Sequence, residues 1–204
     1  MRLTGDKLSA VRGGRTLFAG LGFAVEGGAA LVLTGANGVG KTTLLRIVAG
    51  LMHPAAGRIA LEGGAAEVPV SEQCHYVGHL SAIKPALSIE ENARFWTGFL
   101  DGAPDRLEAA LDTFGLDALR DIPAGYLSAG QKRRLGLARL LLAERPLWLL
   151  DEPTTSLDSA AQDVLSGVVN KHLAAGGMAV AATHMALGFA NARELRLGAG
   201  PASA

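Results

Sequence analysis

The chain has little of several things, and each scarcity narrows what it can be. It has one cysteine, Cys74, in 204 residues, so no internal disulfide can staple it, and that usage fits a reducing compartment. It has no excess of either charge: Lys plus Arg and Asp plus Glu are 19 each, which gives no overall electrostatic case for nucleic acid, and no nucleic-acid partner is expected. No apolar run approaches bilayer-spanning length, and the opening Met1-Arg2-Leu3-Thr4-Gly5-Asp6-Lys7 lacks the apolar core of a signal peptide. The expectation is a soluble chain that can dock on a membrane protein. Despite 27 glycines there is no fixed repeat, and the length suits one globular domain with a small subdomain.

What is present is a periodic alternation of strands and helices. Short apolar runs broken by Gly13-Gly14 and Gly27-Gly28 predict antiparallel strands over 8–11 and 22–25. A buried strand over 29–34 runs into a glycine-rich loop, 35–40, and a helix over 41–49 closed by Gly50. Further strands are expected at 58–61 and 75–77. The texture then turns helical: Ser88 with Glu91 makes a capping box, with Ile89, Trp96, Phe99 and Leu100 on one apolar face. That face makes Trp96 and Phe99 core residues and leaves Phe95 as the contact candidate. A second helix spans 105–114, with Leu107, Ala110, Leu111 and Phe114 on one side, ended by Gly115. Helices over 128–144 and 158–173, with strands over 147–150, 178–183 and 192–197, complete an α/β pattern. The expected fold is a mainly parallel sheet with helices on both faces, a small N-terminal antiparallel sheet and a helical subdomain at about 84–140 within a single 1–204 domain; ligands then sit at the carboxyl ends of the strands.

Gly35, Ala36, Asn37, Gly38, Val39, Gly40, Lys41 and Thr42 match the P-loop pattern between a predicted strand and a predicted helix. The glycines let successive backbone N–H groups turn towards phosphate oxygens, the helix N-terminus adds positive potential, and Lys41 reaches the outer phosphates of ATP. Thr42 offers its hydroxyl to Mg²⁺, and Thr43 is counted with the nucleotide-binding residues. The alternative is a glycine-rich turn that only links strand to helix, against which the Lys-Thr pair argues. Asp151 and Glu152 end the apolar strand 147–150, where a carboxylate pair is costly to bury unless a metal or substrate compensates. Asp151 is read as a Mg²⁺-shell residue and Glu152 as the base that polarises the attacking water; a helix-capping pair before Pro153 is the alternative. Ser128 and Gln131 form a second capping box within Leu127, Ser128, Ala129, Gly130 and Gln131. Lys132, Arg133 and Arg134 crowd that helix start, which the helix dipole disfavours unless an anion such as a γ-phosphate is near.

The P-loop, Leu127-Ser128-Ala129-Gly130-Gln131, Leu149-Leu150-Asp151-Glu152-Pro153 and Thr155-Ser156-Leu157-Asp158, in this order over nearly the whole chain, resemble the ATP-hydrolysing subunits of ABC transporters, a P-loop NTPase family. The resemblance implies a second ATPase copy paired head to tail, each ATP lying between the P-loop of one subunit and the signature segment, Leu127 to Gln131, of the other. It implies that Asp158 communicates across the dimer, a role compatible with capping the next helix, and that His184 is the switch histidine that touches the γ-phosphate. His79 stands where the family has a partner-sensing glutamine, and Arg12 where an aromatic ring stacks on adenine; a guanidinium plane can stack there too. The segment Ile83 to Asn92, Arg94-Phe95-Trp96, Arg145 to Leu150 and the Gly78-His79 pair are similar to the haem-exporter ATPases of bacterial cytochrome c maturation. That likeness implies a peripheral subunit on the cytoplasmic face of the inner membrane, bound to integral membrane subunits, with ATP and Mg²⁺ as its ligands. ATP turnover would drive haem export or release of haem from a periplasmic chaperone, without direct haem binding by this chain; the alternatives are the ATPase of an exporter for another cargo (lipid, peptide or metal) or a soluble non-transport ABC ATPase. Cys74, His75 and His79 invite a metal reading, but they lack a recognised ligand spacing.

Overall fold

The computed structural model describes residues 1–185 and 187–198. The expected end of the domain, 199–204, and Ala186 lie outside the described residues. The first strands are long: β1 (Arg2–Arg12) and β2 (Arg15–Glu26) pair antiparallel, with β4 (Ala56–Glu62) on the other edge of β1. Gly13 and Gly14, at φ 56 and 75, form the two-residue turn between β1 and β2, since only such positive φ values match the twist of a tight hairpin. Both strands outrun the predicted segments. Lys7, at φ 49, sits in a bulge, and β1 pairs on both sides of it.

The second sheet holds β3 (Ala30–Thr34), β5 (Cys74–Val77), β6 (Leu147–Asp151), β7 (Met178–Ala182) and β8 (Ala192–Arg196), in the order β5-β6-β7-β3-β8. The β6·β7, β7·β3 and β3·β8 pairs are parallel. Every residue of β6 and β7 is buried, as befits strands covered on both faces. Leu31, Leu33, Leu147, Leu149, Met178 and Val180 of this sheet share one core with Leu3, Leu8 and Val25 of the first sheet and with Leu44 and Leu45 of α1 (Lys41–Val48). Because β6, β7 and β3 are neighbours and parallel, the segments that follow them emerge at one edge of the sheet.

The described chain divides into two compact units, one of residues 1–76, 145–152 and 169 onward, the other of 77–144 and 153–168. The second holds α2 (Ile89–Phe99), α3 (Arg106–Thr113) and α4 (Ala129–Leu142); α5 (Ser159–Ala174) runs from the second unit into the first. Both capping boxes form: Ser88 Oγ accepts from Glu91 N at 3.1 Å and Ser128 Oγ from Gln131 N at 3.2 Å, with reciprocal side-chain bonds. In α3, Leu107, Ala110 and Leu111 turn inward as expected, with Phe114 buried behind them.

The expected face of α2 is corrected. Its buried side is Ile89, Asn92, Ala93 and Thr97, while Phe99 is 67% exposed. The reason is polar. Asn92 is fully buried; its Oδ1 accepts from Lys84 N at 2.8 Å and its Nδ2 donates to the carbonyls of Lys84, Leu87 and Ser88. Satisfying that loop fixes the rotation of the helix and leaves Phe95 and Phe99 exposed and Trp96 half-buried, ring centroids 5.4–6.1 Å apart. Lys84 lies over Phe95 and Arg139 over Trp96, each a cation on an aromatic face. Phe95 is therefore not alone as the exposed aromatic of this helix.

Candidate functional site

Residues 35–40 leave β3 and turn into α1, with Gly35, Gly38 and Gly40 at φ 126, 78 and 113. A side chain is excluded at two of these positions for a second reason: a Cβ on Gly35 would lie 2.5 Å from Leu197 O, and one on Gly40 3.1 Å from Phe18. The loop therefore has to be glycine-rich to reach the helix N-terminus. The Lys41 ammonium folds back over it, donating to Gly35 O at 2.6 Å and Ala36 O at 3.2 Å. Thr43 is buried in the first turn of α1 and lines a cleft at this loop.

Two further strand ends converge on this loop. At the end of β6, Asp151 Oδ1 accepts from Thr42 Oγ1 at 3.0 Å. Glu152 follows at φ 46, a left-handed conformation that a non-glycine residue holds only where its surroundings enforce it. The enforcing contact is with the next strand: Glu152 N donates to Ala182 O at 2.8 Å. Beyond β7, His184 Nε2 stands 2.8 Å from Asn37 Oδ1, 3.2 Å from Lys41 Nζ and 3.5 Å from Glu152 Oε1. P-loop, carboxylate pair and histidine, far apart in sequence, thus form one site. Arg12 and Leu17 line the cleft, of about 350 Å³, together with P-loop residues, Asp151 and Glu152.

One residue of this cleft and one near its Asp151 were not anticipated. Arg46 also lines it, one helical turn after Thr42 and hence on the same face of α1; the i,i+4 spacing was visible in the sequence. Tyr76, near the end of β5, lies where Arg46 and the Asp151 carboxylate both act on its phenol. Burial pushes its phenol pKa up, with the Arg46 hydrogen bond opposing. No sequence signal distinguished Tyr76 from an ordinary strand tyrosine.

Ser128, Ala129, Gly130 and Gln131, preceded by the buried Leu127, open α4 in the second unit, and Asp158 lies in the same unit. A Cβ on Gly130 would meet Ser156 O at 2.9 Å, so glycine there permits a close approach of the loop that Asp158 ends. Asp158 Oδ1 caps α5, accepting from Ala161 N at 2.8 Å. The charge argument at this helix start is corrected. Arg133 is buried and donates to Pro153 O at 3.0 Å and Gly78 O at 2.7 Å; Lys132 donates to Gly125 O, and Arg134 to Phe114 O. Backbone carbonyls supply the negative partners, so these cations do not call for an anion.

His79 is exposed, in the loop that follows β5. His75 is buried edge-on to Trp148, ring centroids 6.5 Å apart, and burial raises the Cys74 thiol pKa to about 12. A thiol that resists ionisation is a poor metal ligand. Among the described residues no three or more His, Cys, Asp and Glu side chains are grouped to hold a metal, so Cys74, His75 and His79 make no ligand set. Thr42 and Asp151, a hydroxyl and a carboxylate 3.0 Å apart, are oxygen donors of the kind a Mg²⁺ carried by a nucleotide would accept.

The family profile described as ABC transporter matches residues 18–155. The Cytochrome c biogenesis ATP-binding export protein CcmA of Bradyrhizobium diazoefficiens is 57% identical over 200 residues, covering 97% of this chain and 98% of its own. The protein of the same name in Rhodopseudomonas palustris is 55% identical over 199 residues, covering 98% and 99%. Among solved structures, one titled Structure of ATP binding subunit of ABC transporter superposes with a TM-score of 0.85 at 26% identity, covering 98% of this chain and 89% of that one. A putative ABC transporter ATP-binding protein from Pyrococcus furiosus superposes at 0.83 with 21% identity, over 97% and 98%; that likeness concerns the fold.

Proposed function

We propose that this chain, which belongs to the ABC transporter family, is the ATP-hydrolysing subunit of a membrane complex that serves cytochrome c biogenesis by exporting haem or releasing it from a periplasmic carrier. The cargo reading is supported by the identity of 55–57% to the export proteins of that process over almost the full chain. The chemistry is supported above all by one observation: Glu152, held at φ 46, has its carboxylate 3.5 Å from His184 beside the P-loop lysine.

In the proposed cycle the N–H groups of residues 35–42 and the Lys41 ammonium hold the triphosphate, displacing Lys41 from the carbonyls of Gly35 and Ala36. Thr42 and Asp151 hold the nucleotide's Mg²⁺, which when bound neutralises phosphate charge. Arg12 stacks on the base. Glu152 takes the proton of a water whose oxygen bonds to the γ-phosphorus as the bond to ADP breaks, and His184 donates a hydrogen bond to the γ-phosphate. Leu127 to Gln131 face the γ-phosphate bound by a second copy, Asp158 touches that copy, and His79 reports to integral membrane subunits. The complex lies on the cytoplasmic face of the inner membrane, with segment 84–140 as a subdomain of one ATPase domain, and this chain itself binds neither haem nor nucleic acid. Among the described residues no helix is long and apolar enough to cross a membrane; in this reading the membrane passage belongs to integral partners.

Glu152→Gln in the purified chain tests the chemistry. ATP binding should be kept and turnover should fall on the order of a hundredfold or more; turnover within a few-fold of the unmodified chain removes Glu152 as the base.

A further inference from the structure

The ring nitrogen of His184 that faces the P-loop has three neighbours, and their chemistry fixes where its proton is. His184 Nε2 lies 2.8 Å from Asn37 Oδ1, 3.5 Å from Glu152 Oε1 and 3.2 Å from Lys41 Nζ. An amide oxygen and a carboxylate only accept, an ammonium only donates, and a neutral imidazole nitrogen does one or the other. A bare Nε2 would turn its lone pair on two acceptor oxygens. Its one donor would be the Lys41 ammonium, which already donates to Gly35 O and Ala36 O. A protonated Nε2 donates to Asn37 at the shortest of the three distances and faces Glu152 as well, so the proton sits on Nε2. The His184 side chain is 48% exposed, and packing alone does not hold its ring in one orientation. Asn37 is itself exposed, and the left-handed turn beside it belongs to Gly38, at φ 78. The amide therefore serves neither core packing nor that turn.

We propose that the Asn37 side chain is a positioning group for His184: its oxygen selects the Nε2–H form of the imidazole and holds that N–H at the P-loop until a γ-phosphate oxygen takes it. Phosphate oxygens only accept, so the hydrogen given to the γ-phosphate is the one that Asn37 holds beforehand. The amide acts through His184. The phosphates themselves are met by the backbone N–H groups of the loop, which alanine at position 37 supplies equally. The inference rests on the reading of His184 as the γ-phosphate donor.

The test is NMR of the histidine ring nitrogens in the isotope-labelled full chain, free of nucleotide and in alkaline buffer where imidazoles are neutral. His184→Ala identifies the signals of this ring by their loss. In the unmodified chain the ring should show one bare nitrogen and one protonated nitrogen, the latter Nε2. In Asn37→Ala the two resonances should move towards each other as the proton exchanges between them. Asn37→Asp, which keeps an acceptor oxygen in place, should retain the unmodified pattern. Steady-state ATP turnover gives the second arm: Asn37→Ala should lower kcat on the order of fivefold, the effect of one ordinary hydrogen bond, with a smaller change in KM. A side chain of purely structural use would leave the tautomer as it is. The unmodified ring pattern in Asn37→Ala, or an unchanged kcat, overturns the proposal while His184 keeps its reading. If His184→Ala turns over ATP as fast as the unmodified chain, the reading of His184 fails and the proposal with it. Should Asn37→Ala not fold, as thermal melting would show, Asn37→Ser, whose hydroxyl stops one atom short of the amide oxygen, is judged by the same two outcomes.

Discussion

At the residue scale, the site depends on side chains held in positions that they would not choose alone. Glu152 occupies a left-handed backbone conformation, and Lys41 is bent onto the carbonyls of its own loop. A residue away from the cleft shows the same dependence and yields a pH prediction. His172 stacks on Trp148 with ring centroids 3.9 Å apart and planes 4° from parallel, and its Nε2 is 3.2 Å from Met178 O. The stack needs Gly177, where a Cβ would come within 2.2 Å of the imidazole. Burial is the main cause that lowers the His172 pKa below its ordinary 6.5. The folded chain then takes up this proton less readily than the unfolded chain, so the contribution to stability is complete above about pH 6.5 and is lost as pH falls towards the lowered folded value. Thermal melting between pH 7.5 and 5.5 should show Tm falling on the acid side, and His172→Phe, which keeps a stacked ring, should flatten that fall. An equal acid slope in both proteins would show that the slope arises elsewhere.

At the scale of elements, glycine discriminates between two helices. Gly167, in α5, has open space where a Cβ would be, whereas Gly130, in α4, has Ser156 O at 2.9 Å. Alanine in an exposed helix interior is favoured over glycine by about 1 kcal/mol, which for a chain of this size raises Tm by roughly 2–4 °C. Gly167→Ala should show that gain in a melting scan; Gly130→Ala should show none or a loss, because backbone rather than a flexible side chain stands in the way. The elements themselves were largely legible. Both capping boxes, the strand–loop–helix around Lys41 and the strand ending in Asp151 carry local patterns that no tertiary contact had to override. Where the sequence misled, a polar or backbone contact outside the hydrophobic pattern decided. The face of α2 is set by Asn92, which binds loop carbonyls out of reach of hydrophobic periodicity. The bulge at Lys7 lets β1 pair well ahead of the predicted 8–11, and the cations of α4 are satisfied by carbonyls up to 55 residues away. Tyr76 was illegible for the same reason, since its partners lie on α1 and β6.

At the scale of the whole molecule, strand order does what no single motif can. Placing β6, β7 and β3 side by side and parallel brings Glu152, His184 and the P-loop to one sheet edge, which is where ligands of such sheets bind. The P-loop and the Leu127 to Gln131 segment belong to different compact units, as suits a subunit proposed to contribute two different half-sites to a pair. ATP turnover and its use in cytochrome c biogenesis are therefore tested together in the cell. The most direct measurement is covalent haem in periplasmic c-type cytochromes of a strain lacking the gene for this chain, complemented with either the unmodified chain or Glu152→Gln. The account predicts that the deletion loses covalent haem, that the unmodified chain restores it and that Glu152→Gln, although expressed, does not; normal covalent haem in the deletion strain, or full restoration by Glu152→Gln, would contradict it.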